Sequence, residues 1–118
     1  DQHIAKLQQQ DLIVDVRSQL ASLLESGEIS LETVAARLSI SPRHLRHQLN
    51  VAGTSFQRLL NGYRHSLARR LLSQTDEAIS EIVYLTGFSE PSTFYRAFKR
   101  WQGTTPILYR QRTQSNGG

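Results

Sequence analysis

The sequence predicts an all-α protein of about seven helices, in which a long helix joins two copies of a paired-helix repeat. Three observations support this fold class. Apolar residues recur at three- and four-residue steps along most of the chain, and no segment shows the alternation typical of a β-strand. Serine and proline stand where helices are expected to begin, and glycine stands where they are expected to end. One pattern of such signals occurs twice, about 48 residues apart.

The first predicted helix covers residues 11–25, because leucine and valine recur there at helical spacing up to a stop at Gly27. Residues 1–10 are interpreted as the remnant of an interdomain linker. The sequence contains no methionine. We therefore expect the chain to be the C-terminal part of a longer protein.

The first copy of the repeat covers residues 30–53. Ser30 is predicted to cap a short helix, since serine at this position accepts a hydrogen bond from the first turn. Ser41 and Pro42 predict a second helix, with serine as the cap and proline at the first helical position. This second helix is expected to end before Gly53.

A long helix over residues 55–74 is predicted to join the two copies. Thr54 and Gln57 match a capping box, in which each side chain accepts a hydrogen bond from the other residue's backbone N–H. A helix of that length spans about 30 Å, at 1.5 Å per residue.

The second copy of the repeat covers residues 79–103. Its short first helix is expected to close at Gly87, and Pro91 marks the start of its second helix. Pro106 marks a last short helix. Residues 113–118 contain no apolar side chain and are predicted to form a flexible tail.

Each copy reads as helix, short turn, helix, with apolar residues where two crossed helices would touch. This is the helix-turn-helix pattern, although two ordinary helical hairpins without a ligand would give the same spacing. Ser39 stands where the second copy has Gly87. The first turn is therefore expected either to avoid a positive φ or to be slightly strained there.

The distribution of charge favours a nucleic-acid partner. The chain carries 14 basic and 10 acidic residues, and residues 38–118 carry 11 of the basic and only 4 of the acidic ones. Twelve of the basic residues are arginine, whose planar guanidinium suits phosphates and guanine edges. A basic face of this kind is the electrostatic signature of a nucleic-acid-binding domain, and a merely solvated face is the alternative.

In a helix-turn-helix the second helix enters the major groove of DNA. The predicted exposed faces of the two second helices are rich in hydrogen-bond donors and nearly free of carboxylates. In the first copy this face carries Arg43, Arg46, His47 and Asn50. In the second copy it carries Ser92, Thr93, Tyr95, Arg96 and Lys99. The 30 Å of the joining helix is close to the roughly 34 Å of one DNA turn, so two successive major grooves are within reach.

Residues 87–106, followed by Tyr109 and Arg110, resemble the C-terminal signature of the AraC/XylS transcription regulators. The resemblance covers about residues 11–112. Further agreement comes from both the first copy and the long helix, at Leu31, Ala35, Ser41, Leu45, Gly53, Arg64, Ala68, Leu71 and Leu72. It implies a seven-helix domain with two helix-turn-helix units that binds double-stranded promoter DNA without a cofactor. It also implies RNA polymerase and an N-terminal regulatory domain of the full-length chain as partners.

The resemblance also implies roles for individual side chains. The residues expected to contact base edges are Arg43, Arg46, His47, Ser92, Thr93 and Arg96. The residues expected to contact the DNA backbone are Thr54, Ser55, Ser89, Tyr95 and Lys99. The first of the two recognition helices is one residue shorter than the family pattern, which affects the register of Arg46 and His47.

Other chemistry finds little support. The absence of cysteine excludes disulfides, thiolate catalysis and cysteine-based zinc sites. His44 and His47 have the spacing of two metal ligands but lack a third nearby, and Ser89 lacks the strand and second glycine of a nucleophile elbow. We predict that the protein is not an enzyme, binds no metal ion and does not enter a membrane. We predict a cytoplasmic location. A basic helical adaptor that binds an acidic protein is the alternative function.

Overall fold

A computed structural model describes the backbone of residues 2–117 and the side chains of residues 9–114 other than Glu25. Within that part of the chain all regular secondary structure is helical, which confirms the predicted fold class. A short 3-10 helix, Leu24–Ser26, follows the first α-helix. The α-helices are α1 (Gln2–Leu23), α2 (Leu31–Arg37), α3 (Pro42–Val51), α4 (Phe56–Gln74), α5 (Ile79–Leu85), α6 (Pro91–Gln102) and α7 (Pro106–Gly117).

The chain divides into two compact units, and the boundary lies inside α4 between Tyr63 and Arg64. Unit 1 contains α1, α2, α3 and the start of α4, and its first three helices pack against one another. Unit 2 contains the rest of α4 with α5, α6 and α7, and α6 packs against both α5 and α7. Each unit therefore holds one of the two predicted repeats.

Helix α1 begins much earlier than residue 11, where the sequence predicted its start. Residues 2–10 are mainly glutamine, lysine, alanine and leucine, which favour helix, and they include no glycine or proline that would stop it. The helix buries Val16, Leu20 and Leu23, and Gly27 closes the following 3-10 helix with a φ of 75°. Residues 2–10 are thus helical, and their role as an interdomain link stays a prediction.

The two predicted serine caps of unit 1 are confirmed. The Ser30 hydroxyl accepts a hydrogen bond from the Thr33 N–H at 3.0 Å, and the Ser41 hydroxyl accepts one from the His44 N–H at 3.0 Å. Each bond satisfies a donor that the start of a helix leaves without a partner. The inward residues of α2 and α3 are Leu31, Val34, Ala35, Leu45 and Leu49.

The predicted capping box at α4 is wrong by one residue. Ser55, not Thr54, caps the helix: its hydroxyl accepts a hydrogen bond from the Arg58 N–H at 3.1 Å. The Gln57 side chain points along the helix instead and donates to Asn61 Oδ1 at 3.1 Å. Both hydroxyl residues are good caps, and the one directly before the first helical residue takes the role.

Unit 2 is built around an aromatic and aliphatic core. Its buried members are Ala68, Leu72, Ile82, Val83, Phe94 and Phe98, with Tyr95, Tyr109 and Phe88 packed against them. One expectation from the sequence needs correction here. The apolar spacing of α6 places Trp101 on its inward face with Phe94 and Phe98, but the structure leaves Trp101 only half-buried. Leu108 of α7 is 43% exposed.

Helix α7 continues through Gly117, whereas the sequence predicted a flexible tail from Thr113. The Gln114 side-chain amide donates hydrogen bonds to the carbonyl oxygens of Leu72 at 3.1 Å and Thr75 at 3.0 Å. These oxygens lie at the C-terminal end of α4, where helix carbonyls lack partners within the helix. Gln114, a polar residue of the predicted tail, therefore serves as a tertiary cap.

Candidate nucleic-acid interface

The helix pairs α2–α3 and α5–α6 share one turn geometry. In the first turn Ile40 N–H donates to the Ala35 carbonyl at 3.0 Å, and in the second Phe88 N–H donates to the Val83 carbonyl at 3.1 Å. The residue before each donor has a left-handed backbone, at φ 60° for Ser39 and 86° for Gly87. The predicted repeat is therefore confirmed at the level of backbone hydrogen bonds.

Ser39 shows which of its two expected behaviours holds. It adopts the positive φ that the turn requires, and it is the single non-glycine residue with positive φ in the part of the chain that the structure describes. A side chain in this region costs about 1–2 kcal/mol because Cβ approaches the following carbonyl oxygen. The first turn thus keeps the geometry of the second at the expense of local strain.

The second helices of the two pairs align through their first residues, Pro42 and Pro91. Measured from these prolines, Leu45 corresponds to Phe94 and both are fully buried. In the same register His47 corresponds to Arg96, and Arg46 corresponds to Tyr95. All four residues lie at least one helical turn beyond the first proline of their helix.

In unit 1 the three residues predicted to contact bases, Arg43, Arg46 and His47, are all exposed on α3. Thr54 and Ser55, predicted to contact the DNA backbone, are half-buried. The structure brings part of this set together, because Arg46 and Ser55 line one cavity of about 320 Å³. The other residues that line it are Leu31, Leu49, Asn50, Phe56 and Gln57.

In unit 2 the predicted base-contacting residues Ser92, Thr93 and Arg96 are exposed on α6. Ser89 and Lys99, predicted to contact the backbone, are exposed as well. Tyr95 differs from these, because its ring packs edge-on against Phe94 with 5.9 Å between ring centroids. Tyr95 is therefore half-buried.

The start of α6 lacks the side-chain cap that the start of α3 has. Glu90 occupies the cap position of α6 and makes no side-chain hydrogen bond to the helix. The N–H groups of the first turn of α6 thus have no side-chain acceptor from the cap residue, whereas Ser41 supplies one in α3. The N-terminal ends of α3 and α6 therefore differ in their side-chain caps, although the turns before them share one backbone hydrogen bond.

Arg64 is a charged residue of unit 2 for which the sequence predicted no contact with DNA. Its guanidinium lies over the ring of Phe88, 5.0 Å from the centroid, and its Nε is buried without a hydrogen-bond partner among the described residues. Desolvation lowers the pKa of Arg64 below its usual value. An arginine between Tyr63 and Leu67 on an otherwise apolar helix face is the sequence signal for this burial.

The described residues include no group of three or more histidine, aspartate or glutamate side chains placed to hold a metal ion. None of their helices is both long and apolar enough to cross a lipid bilayer.

Comparison with known proteins identifies the family. A family model described as a helix-turn-helix domain matches residues 34–112, from within α2 to α7, and so includes part of the first helix pair and all of the second. The ornithine utilization regulator of Pseudomonas aeruginosa is 38% identical over 104 residues, covering 87% of this chain and 30% of the regulator. The chain thus spans about a third of the length of this curated relative.

Solved structures agree with the match. An AraC-type regulator from Chromobacterium violaceum superposes with a TM-score of 0.77 at 25% identity, over 88% of this chain and 93% of that one. The DNA-binding domain of AdpA, solved in complex with a target DNA, superposes with a TM-score of 0.72 at 26% identity, over 88% and 94% of the two chains. With two equivalent helix-turn-helix pairs and these relatives, the chain belongs to the AraC/XylS family of DNA-binding transcription regulators.

Proposed function

We propose that the chain binds promoter DNA in a sequence-specific way, with α3 and α6 as its two recognition helices. The observation that supports this most is the turn shared by both pairs, with the same backbone hydrogen bond and a left-handed residue before its donor. In a helix-turn-helix the helix that follows such a turn enters the major groove. The exposed faces of both second helices carry arginine, lysine, histidine and hydroxyl groups and no carboxylate. These groups match the acceptors on guanine edges and phosphates.

Successive major grooves are the proposed targets. Helix α4 has 19 residues and is therefore about 28 Å long, compared with about 34 Å for one turn of DNA. Its length supports two half-sites about one helical turn apart. A single chain with two recognition helices would bind such a site as a monomer.

Base contacts are proposed for the exposed side chains near the start and middle of the two recognition helices. These residues are Arg43, Arg46, His47, Ser92, Thr93 and Arg96. Arginine on a guanine edge makes two parallel hydrogen bonds and discriminates between bases by about 1–3 kcal/mol.

Backbone contacts are proposed for Thr54, Ser55, Ser89, Tyr95 and Lys99. The Ser55 hydroxyl already accepts a hydrogen bond from Arg58, and its own proton is still free to donate to a phosphate. Tyr95 packs its ring against Phe94 and is half-buried, so only part of its side chain is available for DNA. Contacts of this kind supply affinity irrespective of sequence.

The remaining roles concern the whole protein. RNA polymerase and an N-terminal regulatory domain of the same full-length chain are proposed partners, and the cytoplasm is the proposed location. The length of the P. aeruginosa relative, of which this chain covers 30%, leaves room for such a domain there.

Selection from a random-sequence DNA pool tests the proposal. We expect the wild-type chain to enrich one asymmetric motif of about two helical turns against an excess of nonspecific competitor. Binding to the enriched duplex should weaken steeply with salt, because each phosphate contact adds about 0.9 to the log–log slope. Failure to enrich any motif, or a slope near zero, would favour the adaptor function and contradict DNA binding.

A further inference from the structure

Arg64 lies beside the α5–α6 turn and has no role in the contacts proposed above. It is the first residue of unit 2, and its guanidinium covers the ring of Phe88 at 5.0 Å. Phe88 belongs to the α5–α6 turn and directly precedes Ser89, which is itself a proposed backbone contact. The half-buried Arg64 therefore contacts, through the Phe88 ring, the turn that leads into α6.

Arg110 shows how a half-buried arginine of this unit looks when its role is structural. Its Nε donates to the Leu72 carbonyl at 3.1 Å, and one Nη donates to the carbonyls of Leu71 at 3.4 Å and Thr75 at 3.3 Å. The guanidinium thereby caps the end of α4. Each of its bonds satisfies an acceptor that the helix leaves free.

Arg64 differs from Arg110 in this respect. Its Nε is buried and donates to no described residue, and it faces an aromatic ring that attracts the charge without accepting an in-plane hydrogen bond. A buried N–H donor without an acceptor is costly to a fold, and the half-buried guanidinium that carries it gains when an anion arrives. Stacking also limits the rotamers of the side chain, so little entropy is lost on binding.

We propose that Arg64 is a phosphate-contacting residue of the second unit, which Phe88 holds in a pre-organised position beside the α5–α6 turn. The inference rests on the proposed DNA-binding function and adds a contact to it. Its ligand is a phosphate of the DNA backbone flanking the half-site of α6. Lysine would not replace it fully, because an ammonium lacks the planar surface that stacks on Phe88.

The first test compares Arg64→Met with Arg112→Met, which removes the same charge from an exposed position on α7. On a duplex selected by the wild type, Arg64→Met should lower the log–log salt slope by about 0.9 and weaken binding about eightfold at 0.1 M salt. The melting temperature of this variant should stay the same or rise. Arg112→Met should leave the slope unchanged, and Arg110→Met should lower the melting temperature.

The second test locates the phosphate. Duplexes with one methylphosphonate each remove a single backbone charge, and we expect one position where this weakens the wild type but not Arg64→Met. The Nε–H resonance of Arg64 in the wild-type chain should shift on saturation with the unmodified duplex. This measurement decides the matter alone if Arg64→Met does not fold.

Several results would overturn the proposal. They are an unchanged slope in Arg64→Met, an equal loss of slope in Arg112→Met, additive effects at every methylphosphonate position, or an unmoved Nε–H resonance. Failure of the proposed function would look different, because then the wild-type chain itself would bind no selected duplex.

Discussion

The two helix-turn-helix pairs have the same turn but different chemistry at the residues that hold it. The α5–α6 turn has glycine at its left-handed position, whereas the α2–α3 turn has Ser39 there. Conversely, α3 has a side-chain cap from Ser41, whereas Glu90 provides none for α6. The comparison shows that the inward residues and the turn hydrogen bonds determine the geometry, while the cap and turn residues adjust the stability of each pair.

The cores of the two pairs differ as well. Leu45 and Leu49 face inward from α3, and their counterparts on α6 are Phe94 and Phe98. The Phe98 ring meets the Tyr109 ring edge-on at 5.5 Å between centroids and lies 6.0 Å from Phe94. Edge-to-face pairs add to the free energy of burial. We therefore expect Phe94 and Phe98 each to contribute more to the free energy of unfolding of unit 2 than Leu45 and Leu49 contribute to that of unit 1.

The largest effect is expected at Phe98, which is fully buried. Phe98→Ala should lower the free energy of unfolding of unit 2 by about 3–5 kcal/mol, since it removes an apolar ring and leaves a cavity. Amide hydrogen exchange should show loss of protection in α5, α6 and α7. Tyr84→Ala, at a position that is 62% exposed, is the control and should stay within about 0.5 kcal/mol of wild type. Wild-type protection in Phe98→Ala would contradict the core assignment.

The next effect concerns the base contacts of the two recognition helices. Arg96→Ala should remove about 1–3 kcal/mol of discrimination at one half-site, because the bidentate contact to a base edge is lost. Selection from random DNA should show a flattened preference over a few adjacent positions there. Arg46→Ala and His47→Ala should act on the other half-site, and their relative effects report the register of α3.

Lys99→Ala is the matched control for Arg96→Ala. It should weaken all sequences alike, because a phosphate contact carries no sequence information. A uniform loss of affinity in Arg96→Ala, with an unchanged motif, would show that Arg96 contacts the backbone instead.

An exchange of the turn residues should alter the two pairs in opposite directions. Gly87→Ser places a side chain at φ 86° and should cost about 1–2 kcal/mol of stability. Ser39→Gly removes this strain and should stabilise unit 1 by less than about 1 kcal/mol, because glycine gains entropy in the unfolded chain. Denaturant unfolding of both variants measures the two changes. Equal signs would show that the shared φ does not carry the strain argued above.

The smallest effect is expected at the caps. Ser41→Ala should cost about 1 kcal/mol, because the His44 N–H loses its acceptor. Glu90→Ser should add a cap to α6 and raise the melting temperature slightly. Calorimetry of the two variants tests the difference, and a destabilised Glu90→Ser would show that the glutamate has another role at that helix start.

Most of the fold follows from local signals in the sequence. The helix starts at Ser30, Ser41 and Pro91 depend on hydrogen bonds and backbone angles within a single turn. The local sequence is therefore enough to predict where these helices begin. Thr54 and Ser55 are chemically equivalent as caps, and only the structure shows which of them precedes the first helical residue. The helical spacing of apolar residues likewise predicts that Phe94 and Phe98 are buried.

Other features depend on partners distant in sequence and were missed for that reason. Gln114 belongs to a helix because it bonds to Leu72, 42 residues earlier. The contact between Arg64 and Phe88 also joins residues far apart in sequence. At the interface the exposure of Arg43 and Arg96 was predictable from helical spacing, whereas Tyr95, which was expected on the same exposed face, is half-buried against the core of unit 2.

The hydrogen bonds from Arg110 and Gln114 to the end of α4 have a genetic consequence. A nonsense mutation that ended translation after Tyr109 would leave both recognition helices intact. It would nevertheless deprive the Leu72 and Thr75 carbonyls of their side-chain donors. Such an allele is expected to yield less protein in the cell through faster proteolysis, with an intact DNA motif in whatever survives.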